Sequence, residues 1–182
     1  MDLTKHVLQT SIVVHGKAYK VRTDHAYWFR FYELITDEAL TSDFDFLYVD
    51  EVPEDRTEGV KQLIEFFSPH KELPRATGKN AERVLDYIID SDFIYAGVLQ
   101  QYGLDLIDTP THWHKVKAMI DGLTGTKLND VIGFRLADQK DKHLRDLKEA
   151  WRLPKSTAEK KEEQEFKDYF ITHKEPAWKT AR

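Results

Sequence analysis

The chain has 182 residues, of which 41% are apolar and 32% charged, with a net charge of -5 and no cysteine. That length favours one domain able to bury roughly 70% of the surface its unfolded chain exposes, and the lack of cysteine excludes disulfides and thiolate metal sites while suiting a reducing cytosol. No apolar run approaches the ~20 residues of a membrane helix, and Met1-Asp2-Leu3-Thr4-Lys5-His6 lacks the layout of a signal peptide, so the protein reads as cytoplasmic.

Residues 11–22 read as a β-hairpin around Gly16. A Gly16-Lys17 loop puts glycine first, as a type II′ turn requires. It pairs Val14 with Tyr19 and Ile12 with Val21 on one face. The competing His15-Gly16 loop would put Lys17 among the apolar residues. Thr23 or Asp24 then caps a helix whose stripe is Trp28, Phe31, Tyr32 and Ile35, at i, i+3, i+4 and i+7. An acidic stretch follows: Asp37 to Glu58 holds nine acids and one base, Arg56, for a net charge of -8, which leaves +3 for the rest. It reads as a solvated loop or as a docking surface for a basic partner, with a short extended piece at Phe44 to Val49.

Pro53 is expected to open a second helix, with Glu54 and Asp55 in its first turn and Val60, Leu63, Ile64 and Phe67 as its stripe. Ser68-Pro69 stops it, and residues 69–79 read as a linker. The longest helix is expected from Ala81 to Tyr102, with Asp92 inside its apolar stripe and Gly103 after its end. Thr109-Pro110 is placed as cap and first residue of the next helix, which carries Trp113, Val116 and Ile120 and ends at Gly122. A shorter helix carries Leu128, Val131 and Ile132. Another carries Leu144, Leu147 and Trp151 and ends at Leu153-Pro154. Every apolar stripe needed for a core lies before Pro154. The division is therefore a helical domain at 1–153 with the hairpin at 11–22, and a charged C-terminal tail at 154–182, helical or disordered. Within the tail Phe166, Tyr169 and Phe170 fall at i, i+3 and i+4, and Trp178 follows. These four aromatics are the candidate partner-binding residues.

Candidate chemistry is sparse. His112 and His114 are two apart, and such residues do not share a helix face. A zinc pair wants i, i+4 spacing and a third ligand, so the two read as polar histidines beside a core tryptophan. Gly122 to Lys127 lacks the spacing of a phosphate loop. Asp43 and Asp45 lack the glycine and glutamate of a calcium loop and support at most a weak, adventitious site. No nucleophile elbow and no nucleophile–base pattern emerges. The expectation is a non-enzyme with no catalytic residues, no metal and no cofactor. The absence of a basic stripe argues against nucleic acid.

Two segments carry a resemblance. Ile12-Val-Val-His-Gly-Lys-Ala-Tyr-Lys-Val-Arg-Thr-Asp24 with Trp28-Phe-Arg-Phe-Tyr-Glu-Leu34 resembles the opening of a bacteriophage family known as gene product fifteen. Phe93-Ile-Tyr-Ala-Gly-Val-Leu-Gln-Gln-Tyr-Gly-Leu-Asp105-Leu is similar to that family's most distinctive segment, because its order of aromatic, small and amide residues is not dictated by helix periodicity. His112-Trp-His-Lys115, Leu123 and Phe134-Arg135 extend the likeness over about residues 11–153. His114 stands where the resemblance leads one to expect a second tryptophan, and the tail is unmatched. The family's genes typically lie beside those for the tail tube and the tape-measure protein. The resemblance therefore implies a tail assembly chaperone in the host cytoplasm, with those two proteins as partners and room for a homo-oligomer. A minor tail or connector protein of the virion is the first alternative. A metal-dependent enzyme or a phage-encoded inhibitor of a host protein is the second. The expected fold is mainly α, a helical bundle with a small N-terminal β-hairpin.

Overall fold

The computed structural model describes residues 7–36, 43–68, 83–137 and 141–155, together with 160, 164, 165 and 168. Among these residues the protein is mainly helical with one two-stranded antiparallel hairpin, β1 (Ser11–Val14) and β2 (Lys17–Lys20). The helices are α1 (His25–Thr36), α2 (Arg56–Phe67), α3 (Ser91–Tyr102), α4 (Trp113–Asp121), α5 (Lys127–Leu136) and α6 (Lys142–Ala150), with a 3-10 turn at Asp45–Leu47. No helix among the described residues is long and apolar enough to cross a membrane.

The hairpin uses the other register. Ile12 pairs with Tyr19 and Val14 with Lys17, so the loop is His15-Gly16. Both loop residues have positive φ, 49° and 81°, the signature of a type I′ turn, whose twist matches the strands. Ile12 and Val14 still face the core. Lys17 is accommodated because it sits exposed beside the turn, where its ammonium reaches Glu51 and lies 5.0 Å over the ring of Tyr19. Val21 stays buried by bridging to Tyr48 instead.

Four further boundaries move, each for a local reason. The piece at Phe44 to Val49 is not a strand: the Asp43 carboxylate accepts from the Asp45 N–H at 2.9 Å and turns the chain into the 3-10 helix. Helix α2 begins at Arg56 rather than Pro53, since Asp55 is its cap and accepts from Glu58 N–H. Its buried face is Gly59, Leu63, Phe66 and Phe67, which leaves Ile64 46% exposed. The helix turns this way because Phe66 stacks on Trp28 at 4.5 Å, and aromatic area outweighs that of an isoleucine. Helix α3 begins at Ser91, not Ala81. Asp86 accepts from the Ile88 and Ile89 N–H groups, and Asp90 accepts from Asp86 N–H. These carboxylates take donors that a helix would otherwise use. Helix α4 begins at Trp113, not Pro110. His25 N–H donates to Thr111 O and Trp113 N–H to Thr23 O, which holds the preceding chain extended beside the start of α1.

The core has two parts. One gathers the hairpin, α1, the 3-10 turn and α2 around Trp28, Phe31, Leu63, Phe66 and Phe67. The other gathers α3, α4 and α5 around Ile94, Val98, Val116, Ile120 and Leu128. Phe29 and Tyr87 pack against both. Trp113, fully buried, belongs to the first part while the rest of α4 serves the second.

Candidate functional site

The segment whose order helix periodicity could not explain proves to be a clamp on the turn between α4 and α5. Gly97 lies so close to that turn that a Cβ there would come within 2.9 Å of Leu123 Cδ1. Gln101 grips both sides of the turn: its amide donates to Gly122 O at 3.1 Å, and its carbonyl accepts from Thr124 N–H at 3.0 Å. The hydroxyl of Tyr102 lies where a Cβ on Gly122 would fall, at 2.8 Å. Tyr95 donates to Asp105 at 3.2 Å, and Asp105 in turn accepts from Ile107 and Asp108. Those backbone N–H groups, the Ile107 one foremost, hold its carboxyl below the usual carboxylate range. Small, amide and aromatic residues are needed here for shape and hydrogen bonding, so the segment acts in the fold.

A second polar centre is buried. Arg135 on α5 makes a two-pronged ion pair with Asp90 at 2.7 and 2.8 Å, and the two side chains are 7% and 1% exposed. Arg135 also donates to Val84 O and Trp151 O. It thereby ties the 83–90 segment, α5 and the end of α6 to one another. Beside it Arg83 donates to Asp86 and to Pro154 O, and Tyr32 donates to Asp86 at 3.2 Å. Burial first, and the Asp86 carboxylate second, push the Tyr32 hydroxyl up to about 12. The expected acid at this end of α3, Asp92, is exposed in the first helical turn, where the helix dipole favours it.

Over this centre opens a cleft of about 460 Å³, within the roughly 300–1,000 Å³ of typical binding clefts. Arg135 lies at its base, and Arg83, Arg145, Lys148, Arg152 and Lys155 open onto it. Asp146 and Glu149 interrupt the cations. Arg83 Nε is buried there without a hydrogen-bond partner. Helix α6, which forms one wall, buries none of its own residues. It leans on α5 through Trp151, whose ring lies 6.2 Å from Phe134 and 6.0 Å from Phe93.

The opposite charge collects elsewhere. Asp50, Glu51, Glu54 and Asp55 are all exposed between the 3-10 turn and α2, and Val49 beside them is 46% exposed. Asp50 lies 3.9 Å from Lys20, Glu51 pairs with Lys17, and Asp55 with His15 at 2.9 Å. Asp45 is taken by Arg56 and Asp43 by the Asp45 N–H, so the two acids at calcium-like spacing are occupied by the protein itself.

His112 and His114 are likewise committed to the fold. His112 Nε2 donates to Gln9 O at 2.8 Å, and its Nδ1 accepts from His114 N–H, capping α4. His114 Nε2 donates to Phe66 O at 2.7 Å. Burial lowers the pKa of both below the ordinary 6.5. Among the described residues no group of three or more His, Asp or Glu could hold a metal ion. Phe166, Tyr169, Phe170 and Trp178 lie outside the described residues. Sequence reasoning missed Asp90, although Arg135 carried a signal: it recurs with Leu128 and Val131 at helical spacing, a cation on an apolar stripe.

The family described as Bacteriophage Gp15 protein matches residues 4–161, a longer span than the resemblance read at 11–153. No curated protein matches the chain, and no solved structure does.

Proposed function

Because the chain belongs to the bacteriophage Gp15 protein family, we propose that it is a non-enzymatic tail assembly chaperone. It holds the tape-measure protein in solution in the host cytoplasm, brings tail tube subunits to it, and leaves before the tail is finished. The observation that carries this reading is the family match across residues 4–161; the resemblance adds the expectation that the family's genes lie beside those of the tail tube and tape-measure proteins. The polar groups lend support. The ion pair of Asp90 with Arg135, the two histidines and the Asp43–Asp45 pair are engaged in holding backbone and side chains, which suits a scaffold that presents surfaces. The basic cleft, the acidic loop and the C-terminal aromatics Phe166, Tyr169, Phe170 and Trp178 are the surfaces proposed to meet other chains.

Deleting the gene from its phage tests the reading. The expected result is filled heads without tails, tail formation restored by supplying the chain in trans, and purified virions that lack it. Stoichiometric chain in purified virions would make it a minor tail or connector protein instead. Normal tails without the gene would overturn a role in tail assembly altogether.

A further inference from the structure

We propose that the basic cleft beside α6 receives the exposed acidic loop of a second copy, the stretch from Val49 to Asp55, so that copies associate head to tail. The inference goes beyond the chaperone reading and does not need it.

The occupant follows from charge and fit. The cleft offers the guanidiniums of Arg145 and Arg152, groups that grip carboxylates through paired N–H donors. Arg145 is exposed and makes no ion pair among the described residues, and Arg152 has only an exposed pair with Glu149 at 3.7 Å. A nucleic acid is the poorer occupant. Asp146 and Glu149 break the run of cations, and the whole chain carries -5, which repels a continuous polyanion. An isolated group of carboxylates on a protein avoids that penalty, and this chain supplies one. Glu54 makes no ion pair among the described residues, while the pairs of Asp50 and Glu51 with Lys20 and Lys17 are exposed. Such exposed pairs contribute little to stability and exchange cheaply. The apolar side chain of Val49, half open to water, stands at the start of the same loop.

Donor and acceptor surfaces are different patches, so the contact is heterologous. Unless its rotation closes a ring, it propagates into an open row of copies. A row held by exposed charges would be reversible and sensitive to salt.

Charge reversal tests the contact on the full chain, read by sedimentation velocity across a concentration series. Wild type is expected to gain average mass with concentration and to return to monomer at about 0.5 M salt. Glu51→Lys with Glu54→Lys, and separately Arg145→Glu with Arg152→Glu, should each remain monomeric at concentrations where wild type associates. All four positions are exposed, and unchanged circular dichroism would exclude misfolding. Mixing the two double variants, or combining all four changes in one chain, should restore association, because each reversed patch again meets its opposite. Wild type that is monomeric throughout would overturn the proposal. So would association indifferent to both reversals, or reversals that are not rescued by each other. A monomer that still holds the tape-measure protein in solution would sink this contact and leave the chaperone reading standing.

Discussion

Replacing Arg135 with Met is expected to destabilise the protein by about 3–5 kcal/mol, the cost of leaving one member of a buried ion pair unpaired. Asp90 would be left at 1% exposure with only the Asp86 N–H to satisfy it. Val84 O and Trp151 O would lose their donors as well, and each unsatisfied buried group adds its own penalty. Asp90→Ala should cost a similar amount for the mirror reason. The double variant is expected to lose clearly less than the sum of the two, since neither charge is then stranded. Urea denaturation of the four proteins reads this directly. Strict additivity would mean that the two side chains act independently, and that the centre does not join the 83–90 segment to α5.

Trp113→Ala is the second large effect, again about 3–5 kcal/mol. The indole is fully buried, stacks on Phe67 at 4.8 Å, and meets the edges of Phe29 and Tyr87 at 5.6 Å each. Its Nε1 donates to Phe67 O at 2.8 Å. Phe29 and Tyr87 pack against both halves of the core, so the cavity would open at their junction. Trp113→Phe keeps most of the stacking and loses the N–H, so it should cost less, about 1–3 kcal/mol for the orphaned carbonyl. Thermal melting should rank wild type above Phe above Ala. Phe as damaging as Ala would place the stabilisation in the hydrogen bond and not in the ring. A domain of this kind has only about 5–15 kcal/mol in total, so either large substitution leaves the fold marginal.

The helical character, the hairpin and most core positions were legible because apolar periodicity reports burial directly. Trp28, Phe31 and Tyr32 on α1, and Trp113, Val116 and Ile120 on α4, are buried as their spacing indicates. Boundaries were less legible wherever a polar side chain competed with the backbone. Asp86 and Asp90 turn eight residues that carry helical periodicity into a tied loop. His112 caps α4 in place of Thr109 because a bridge to Asp24 holds the chain extended up to that point. The carboxylate bonds are local but leave no mark on apolar periodicity, and the bridge to Asp24 is not local in sequence. The hairpin register turned on whether Lys17 could pair with Val14 and still reach water, and it does so beside Glu51, a residue 34 positions away. The basic cleft was illegible for the same reason, since Arg83 and Arg145 meet only after α5 brings their segments together. The family's distinctive segment was visible in sequence as a departure from periodicity, and contacts to the α4–α5 turn explain it.

The chaperone reading is tested most directly by co-expressing the chain with the tape-measure protein encoded beside it, and measuring soluble tape-measure protein and its co-elution with the affinity-tagged chain. The account predicts tape-measure protein that is insoluble alone and soluble in the chain's presence, recovered with it in a complex. Tape-measure protein that stays insoluble, or that dissolves without ever co-eluting, would contradict it.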